Sequence, residues 1–303
     1  MSVTPDFVLS DEELALLPTD EEVAAYARNG WYLTRKLFTD DEVDTLVAAS
    51  ERFYAGERSR TLPGRPPRLA YWTPDKGPVQ RHNDYIHYEH DDIAAILRKP
   101  VVGAVAARLA QADEMRIFQS TLIYKPPIAG EPSNVVPWHF DRHYWQSCTS
   151  EDMLTAFIPF HDCGLDMGTI TMVEGSHRWE EIGADDSTSK HFADRDNQDL
   201  EVMLARNAEH NHASVTKVPM IIPKGHMSFH HCRTYHGSGA NVSGRPRRAI
   251  SFHLQPGSNE YRAFHLSNGD VVSYNHDVLV RRTADGRPDY ADPEFCPVLW
   301  RNA

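Results

Sequence analysis

The chain has 303 residues, 41% of them hydrophobic, and a formal net charge of −12. That length holds one large domain or two small ones, and that hydrophobic fraction is enough for a full core. The acidic balance disfavours nucleic acid and anionic membrane surfaces as partners, because both select basic patches.

Cys148, Cys163, Cys232 and Cys296 show no paired spacing. They read as reduced thiols rather than a disulfide framework or a zinc site. The first residues lack a basic stretch followed by an apolar run, so no signal peptide is expected. No run of about 18 apolar residues is present, so no membrane span is expected. A cytoplasmic protein is the expectation.

Residues 1–18 read as a loose arm or a short helix over 11–17. Thr19 with Glu22, and Thr39 with Glu42, form two capping boxes that open helices. Gly30 closes the first, a short strand follows over 31–34, and the second helix runs to about residue 54. These elements are expected to cover one side of a sheet. Residues 56–90 are rich in proline and arginine and read as an irregular loop. Tyr71, Trp72, Arg81, His82, Asn83 and Tyr85 concentrate polar and aromatic groups there. The loop is either part of a substrate pocket or a surface loop packed by its own aromatics. Residues 91–112 read as helical, interrupted near Pro100. Residues 115–125 alternate as a strand, with Ile117, Gln119, Thr121, Ile123 and Lys125 on one face. A glutamine and a lysine are unusual on a core-facing side.

Residues 126–137 form a loop that ends on Pro137-Trp138-His139-Phe140-Asp141. In extended chain, positions i and i+2 share a face, so His139 and Asp141 present an imidazole beside a carboxylate. A second imidazole from further along would complete two histidines and one carboxylate, the ligand set of a non-haem Fe(II) centre with open positions. His230, His231 and His236 are the downstream candidates. Arg142, His143, Tyr144 and Trp145 are expected to form a lip over this site, with His143 lining the pocket rather than binding metal. Strands are expected over 154–160, 168–173, 215–222 and 227–232. His177 sits in a turn, where a structural hydrogen bond is its expected role. Residues 180–214 are polar and without strand pattern, and read as a lid or excursion. A tight glycine-rich turn over 237–241 follows His236. Arg247, on the next strand, carries a guanidinium able to clamp a dicarboxylate through two parallel hydrogen bonds. Residues 258–303 are expected to wrap the domain near the site mouth. The many short strands after residue 115, with glycine, proline and asparagine between them, point to a sheet-rich fold.

Four motifs, in this order, resemble the phytanoyl-CoA dioxygenase (PhyH) family of Fe(II)/2-oxoglutarate oxygenases. They are Trp138-His139-Phe140-Asp141, Glu174-Gly175-Ser176-His177, His236-Gly237-Ser238-Gly239-Ala240-Asn241 and Arg247-Arg248-Ala249-Ile250-Ser251. The likeness runs from about residue 23 to about residue 256. It implies a mainly β fold with peripheral helices (α+β), built on a double-stranded β-helix, a cupin-like jelly-roll, as a single domain over 1–303. It selects His236 over His230 and His231, so that His139, Asp141 and His236 hold Fe(II). It implies 2-oxoglutarate and O2 as co-substrates, with Arg247 on the far carboxylate. The order Gln119-Ser120, Lys125, then Trp138-His139 resembles the ectoine hydroxylase branch, which implies that Lys125 assists 2-oxoglutarate and Gln119 faces substrate.

The chain departs from the family at Met167-Gly168-Thr169, at Glu174-Gly175 and at Gly225-His226, so substrate contacts are not carried over from there. The carboxylate of Asp141 favours hydroxylation or a rerouted oxidation over halogenation, which needs a small residue at that position. No general base is required. The acidic balance argues against CoA thioesters, and the aromatic stretches 71–85 and 138–145 suggest a ring-bearing or mostly apolar small molecule. Tyr71, His82 and Trp145 join Gln119 as candidate substrate residues. The expected activity is oxidation of an unactivated C–H bond in natural-product tailoring. The alternatives are a cupin-type metalloenzyme that uses no 2-oxoglutarate and an inactive jelly-roll binding module. Arg247 and Lys125 discriminate, since only the 2-oxoglutarate enzyme needs a dicarboxylate clamp.

Overall fold

Three capping boxes organise the N-terminal third. Ser10, Thr19 and Thr39 each accept the backbone N–H three residues on, and Glu13, Glu22 and Glu42 each accept the cap N–H in return. They open α1 (Asp11–Leu14), α2 (Asp20–Asn29) and α3 (Asp40–Tyr54). The first is shorter than expected, because Pro18 disfavours helix at Leu17. Helix α2 ends on Gly30, in the left-handed region at φ 82. A Cβ there would lie 2.5 Å from His177 Nδ1 and 2.6 Å from Thr234 Oγ1. Gly30→Ala is therefore expected to cost about 1–3 kcal/mol, read as a lower midpoint in urea or thermal denaturation.

The computed structural model describes residues 7–127, 135–180 and 197–302. Strand β1 (Trp31–Leu33) precedes α3, and β2 (Arg81–Asp84) leads into α4 (Ile86–Glu89), α5 (Asp91–Leu97) and α6 (Pro100–Ala110). Then come β3 (Glu114–Lys125), β4 (Val136–His139), β5 (Leu154–Pro159) and β6 (Ile170–Val173). After α7 (Asn197–His210) the chain forms β7 (Lys217–Pro219), β8 (Ser228–His231), β9 (His236–Ser238) and β10 (Arg247–Pro256). The tail adds β11 (Phe264–His265), β12 (Val271–Val272), α8 (Asn275–Leu279) and β13 (Val298–Arg301).

These strands make a jelly-roll. A seven-stranded sheet runs β1-β8-β5-β10-β3-β13, with β2 also paired to β3, and a four-stranded sheet runs β4-β9-β6-β7. The helices that precede β3 cover the outer face of the larger sheet. Tyr26, Leu46, Phe53, Ile93, Leu97 and Val105 pack there against Leu122, Ala156, Phe229, Ile250 and Phe252. Each such side chain contributes about 1.5–3 kcal/mol when fully buried, so this layer holds the fold together. Alternation then turns the polar residues Thr121, Arg247, Ser251 and His253 to the inner face, between the sheets, and Lys125 with them, where it donates to Ser238 of the facing sheet.

The structure corrects four expectations. Residues 81–84 form a strand instead of loop, antiparallel to β3 with Asp84 opposite Thr121. Its Arg-His-Asn-Asp sequence carries no apolar period to reveal it. The pairing of β3 with β10 slips one residue, with Gln119 opposite His253 but Ile117 opposite Leu254. Phe118 is the extra residue of this bulge. It therefore joins Gln119 on the inner face, while Ile117 packs with the outer core. The segment expected to be an irregular lid contains the 14-residue helix α7, whose Leu204 and Ala208 are buried with Phe140, Trp179 and Tyr235. Residues 181–196 of that expected lid lie outside the described residues. Finally, the strand expected over 215–222 is confined to Lys217–Pro219.

Candidate active site

The site sits between the two sheets, where β4 and β9 run antiparallel with His139 directly opposite His236. Their ring centroids are 4.2 Å apart. Phe140 remains extended (φ −131, ψ 144), so the alternation of β4 carries through to Asp141. A 3₁₀ turn over Asp141–Tyr144 then ends it. That turn removes His143 from the cavity wall, contrary to expectation, and packs its ring against Phe140 and Tyr144. Arg142 also leaves the expected lip. It is buried and donates to the carbonyls of Trp145 and Cys148.

Both histidines are held in one tautomer by the same local device. His139 Nδ1 lies 2.8 Å from the carbonyl of Pro137, and His236 Nδ1 lies 2.9 Å from the carbonyl of Thr234. Nδ1–H is thus the donor in each, and Nε2 carries the lone pair. The two Nε2 atoms stand 3.9 and 3.7 Å from Oδ1 of Asp141. Potential ligand atoms of His139, Asp141 and His236 all lie within 4.8 Å of one another. Burial pushes the His236 imidazolium down to about 4, with His230 the next cause, so the ring is neutral and able to ligate. These donors fit a divalent metal ion. The other carboxylate oxygen, Oδ2, is occupied: Thr155 donates its hydroxyl to it, and His230 Nε2 lies 3.3 Å away. His253 Nδ1 in turn is 2.9 Å from the Thr155 hydroxyl. His230, the rival for the distal position, therefore supports the carboxylate from behind. His231 faces away, 5.3 Å from the ring of His177. His177 itself makes the structural hydrogen bond expected of it, to the carbonyl of Ala27.

Lys125 and Arg247 are opposite one another in the β3–β10 register. Both are buried, at 0% and 2% exposure. Lys125 Nζ donates to Ser238 Oγ at 2.7 Å and to the Gly239 carbonyl at 2.8 Å. Arg247 donates to the Gly168 carbonyl, and its Nε has no partner. Among the described residues, neither forms an ion pair with a carboxylate. Burial, and then the neighbouring Arg247, push the Lys125 ammonium down to about 6, and burial pushes Arg247 down to about 10. Two buried basic groups without a counter-ion are expensive, several kcal/mol for each charge. The arrangement is a receptacle for an anion. Arg248 points outward to Glu51 at 3.0 Å, and Arg245 is exposed.

A cavity of about 230 Å³ joins these parts. Arg247 and Ser238 line it at one end, the metal-binding trio lies along it, and Gln119, His82 and Trp145 line it as expected. Tyr71 does not. Its hydroxyl is taken by half-buried Arg58 at 3.0 Å and buried Glu89 at 3.0 Å, and its ring lies against Phe53. The tail reaches the cavity through Tyr274, Asn275 and His276. Sequence reasoning missed Asp84 and Thr155. Asp84 follows His82 by two in extended chain, so the rule that paired His139 with Asp141 would have found it. Thr155 stood out only as a lone hydroxyl in an apolar run.

A two-histidine, one-carboxylate cluster on the inner face of a jelly-roll, with an anion receptacle beside it, defines the class: a metal-dependent oxygenase of the non-haem type. The family model described as "Phytanoyl-CoA dioxygenase (PhyH)" matches residues 26–249, and the chain belongs to that family. It is an Fe(II)/2-oxoglutarate-dependent dioxygenase, with O2 as the further co-substrate. An ectoine dioxygenase of Bordetella bronchiseptica is 28% identical over 242 residues, covering 76% of this chain and 73% of that protein. Among solved structures, the carbocyclase SnoK from nogalamycin biosynthesis is similar at a TM-score of 0.67 and 21% identity, over 93% of this chain and 96% of that one. EctD from S. alaskensis, with 2-oxoglutarate and 5-hydroxyectoine, is similar at 0.65 and 21% identity, over 89% and 85%. These two likenesses concern the fold. Among the described residues, no helix is long and apolar enough to cross a membrane.

Proposed function

We propose that His139, Asp141 and His236 hold the Fe(II), that Arg247 and Lys125 hold the far carboxylate of 2-oxoglutarate, and that the protein hydroxylates or otherwise oxidises an unactivated C–H bond of a small molecule. The observation that carries this reading is the buried Lys125–Arg247 pair, which has no carboxylate partner among the described residues: Arg247 lines the same cavity as His139, Asp141 and His236, and Lys125 stands directly behind its wall, donating to Ser238. A cupin-type enzyme without 2-oxoglutarate has no use for such a pair. A tailoring step in natural-product biosynthesis, performed by one catalytic domain, remains the preferred role. A cytoplasmic location belongs to the same reading, supported by four buried free cysteines.

When bound, Fe(II) with 2-oxoglutarate and O2 supplies an oxidation in which decarboxylation to succinate and CO2 is coupled to attack on the C–H bond. The chain's residues supply position and surroundings. Pro137 and Thr234 fix the imidazole tautomers, while Thr155 and His230 occupy Oδ2 of Asp141 and leave Oδ1 to the metal. Trp145 stacks edgewise on His253 at 4.6 Å and helps keep the inner end of the cavity dry.

Two measurements test the reading. Anaerobic addition of Fe(II) and 2-oxoglutarate is expected to give the weak visible charge-transfer band of the chelate, and its absence would overturn the assignment. With burial and Arg247 pushing its ammonium down to about 6, Lys125 is expected to gain a proton when a dicarboxylate arrives at pH 7.5. Calorimetric titration of 2-oxoglutarate in buffers of different ionisation enthalpy should show proton uptake at pH 7.5, fading in Lys125→Met. The substrate is then sought by succinate release against a metabolite panel.

A further inference from the structure

Asp84 is the counterpart of the buried basic pair. It lies on β2, opposite Thr121 of β3, and lines the cavity at only 5% exposure. Its Oδ1 accepts the Thr121 hydroxyl at 2.8 Å, and its Oδ2 accepts the backbone N–H of Ala70 at 3.0 Å. No lysine, arginine or histidine among the described residues forms an ion pair with it. Burial pushes its carboxyl up to about 6, while hydrogen bonding from Thr121, Ala70 and Gln119 opposes that rise without any basic side chain contributing. Arg68, also on the cavity wall, is exposed and makes no ion pair with Asp84 or any other described residue, so it does not neutralise Asp84. A carboxylate oxygen has room for a further donor beyond the one it already holds. A buried, unneutralised carboxylate is costly unless something pairs with it.

The cavity that Asp84 lines also has aromatic walls. Phe118, Tyr144, Trp145 and Tyr274 line the same cavity, and the Tyr274 hydroxyl is buried without a hydrogen-bond partner of normal geometry. Aromatic faces beside a carboxylate form a setting that attracts an organic cation and rejects an anion. Asp84 lies two residues after His82 and beside Gln119 and Thr121, toward the Phe118 bulge, whereas Lys125 and Arg247 close the other end of β3. The cavity is therefore polarised along one strand, with an anion receptacle at one end and an unpaired carboxylate toward the other.

We propose that the substrate carries a positively charged nitrogen, an ammonium or alkylammonium group, and that Asp84 within this aromatic wall is its recognition site. This rests on the reading of the opposite end as the 2-oxoglutarate site. A competing role for Asp84 is purely structural, as a staple between the loop at Ala70 and the sheet. The experiment separates the two. Enzyme loaded with Fe(II) and 2-oxoglutarate without oxygen is titrated calorimetrically at pH 7.5 with benzylamine, benzyl alcohol and benzoate. These probes share a ring and differ in charge. Benzylamine is expected to bind about tenfold or more tighter than either of the others, and Asp84→Asn is expected to erase that preference. Equal binding of amine and alcohol by the native protein overturns the proposal, and needs no variant to fold. A preference that survives Asp84→Asn also overturns it, because the amine would then be held elsewhere, by the metal or by aromatic rings alone. 2-Oxoglutarate is titrated into the same preparations. Intact 2-oxoglutarate binding with no amine preference removes only the ammonium site. Loss of 2-oxoglutarate binding by the native protein removes the parent reading.

Discussion

Alanine at His139, Asp141 or His236 is expected to abolish turnover, on the order of a thousandfold or more, because each removes a ligand from a centre that supplies several kcal/mol to the reaction. The fold should survive, since the outer core between the helices and the larger sheet is untouched. Near-ultraviolet circular dichroism checks that point, and titration with Fe(II) or Mn(II) reads the metal. His230→Ala is the discriminating comparison. That imidazole meets Asp141 through Oδ2, so its loss should weaken metal affinity by about 10–100-fold without abolishing turnover. Full activity in His236→Ala with none in His230→Ala would show the ligand assignment to be wrong.

The second large effect belongs to Arg247. A charge-assisted pair in a partly dry pocket is worth about 2–5 kcal/mol when one partner is truncated. At about 1.4 kcal/mol for each factor of ten, Arg247→Ala should raise the 2-oxoglutarate requirement by about thirtyfold or more. The charge-transfer band, titrated with 2-oxoglutarate, measures this directly. Arg247→Lys should recover only part, because an ammonium lacks the planar fork. Arg248, paired with Glu51 on the outer face, and exposed Arg245 are the controls and should change nothing. Arg247→Met tests the energetics from the other side. With the charge gone, the empty protein should melt at a higher temperature than the native chain, and 2-oxoglutarate should no longer raise that temperature. Unchanged affinity in Arg247→Ala would leave the arginine as packing.

Much of this was legible because the physics is local. Thr19 with Glu22, Thr39 with Glu42 and the glycine at position 30 each mark a helix end by short-range hydrogen bonding or backbone conformation. His139 and Asp141 are adjacent on one face for the same reason, since Phe140 between them is extended. What escaped depends on partners distant in sequence. Strand β2 exists because β3 offers it a ladder. Tyr71 was lost to Arg58 and Glu89, a pairing invisible until the loop is folded. His143 left the wall because a turn begins at Asp141, and nothing in the residue types announces that turn. Residue type alone did not separate His230 from His236; the resemblance of the His236-Gly237-Ser238 motif selected His236, and the ladder that sets His236 opposite His139 agrees with it.

The bulge at Phe118 has a consequence for how such an enzyme can change. Strand β3 is a single 12-residue plank with Lys125 at one end and the bulge near the other. An inserted residue lets two successive side chains, Phe118 and Gln119, line the cavity, and the register beyond it stays locked to β10. Exchanging Phe118 for a smaller or larger residue should therefore alter which molecules are accepted while leaving affinity for 2-oxoglutarate as it was. On the proposed reading one half of the strand is free to drift with the substrate, while the other, carrying Lys125, would be pinned by a co-substrate that never varies. New specificity can then arise through single substitutions, without first rebuilding the machinery that consumes oxygen.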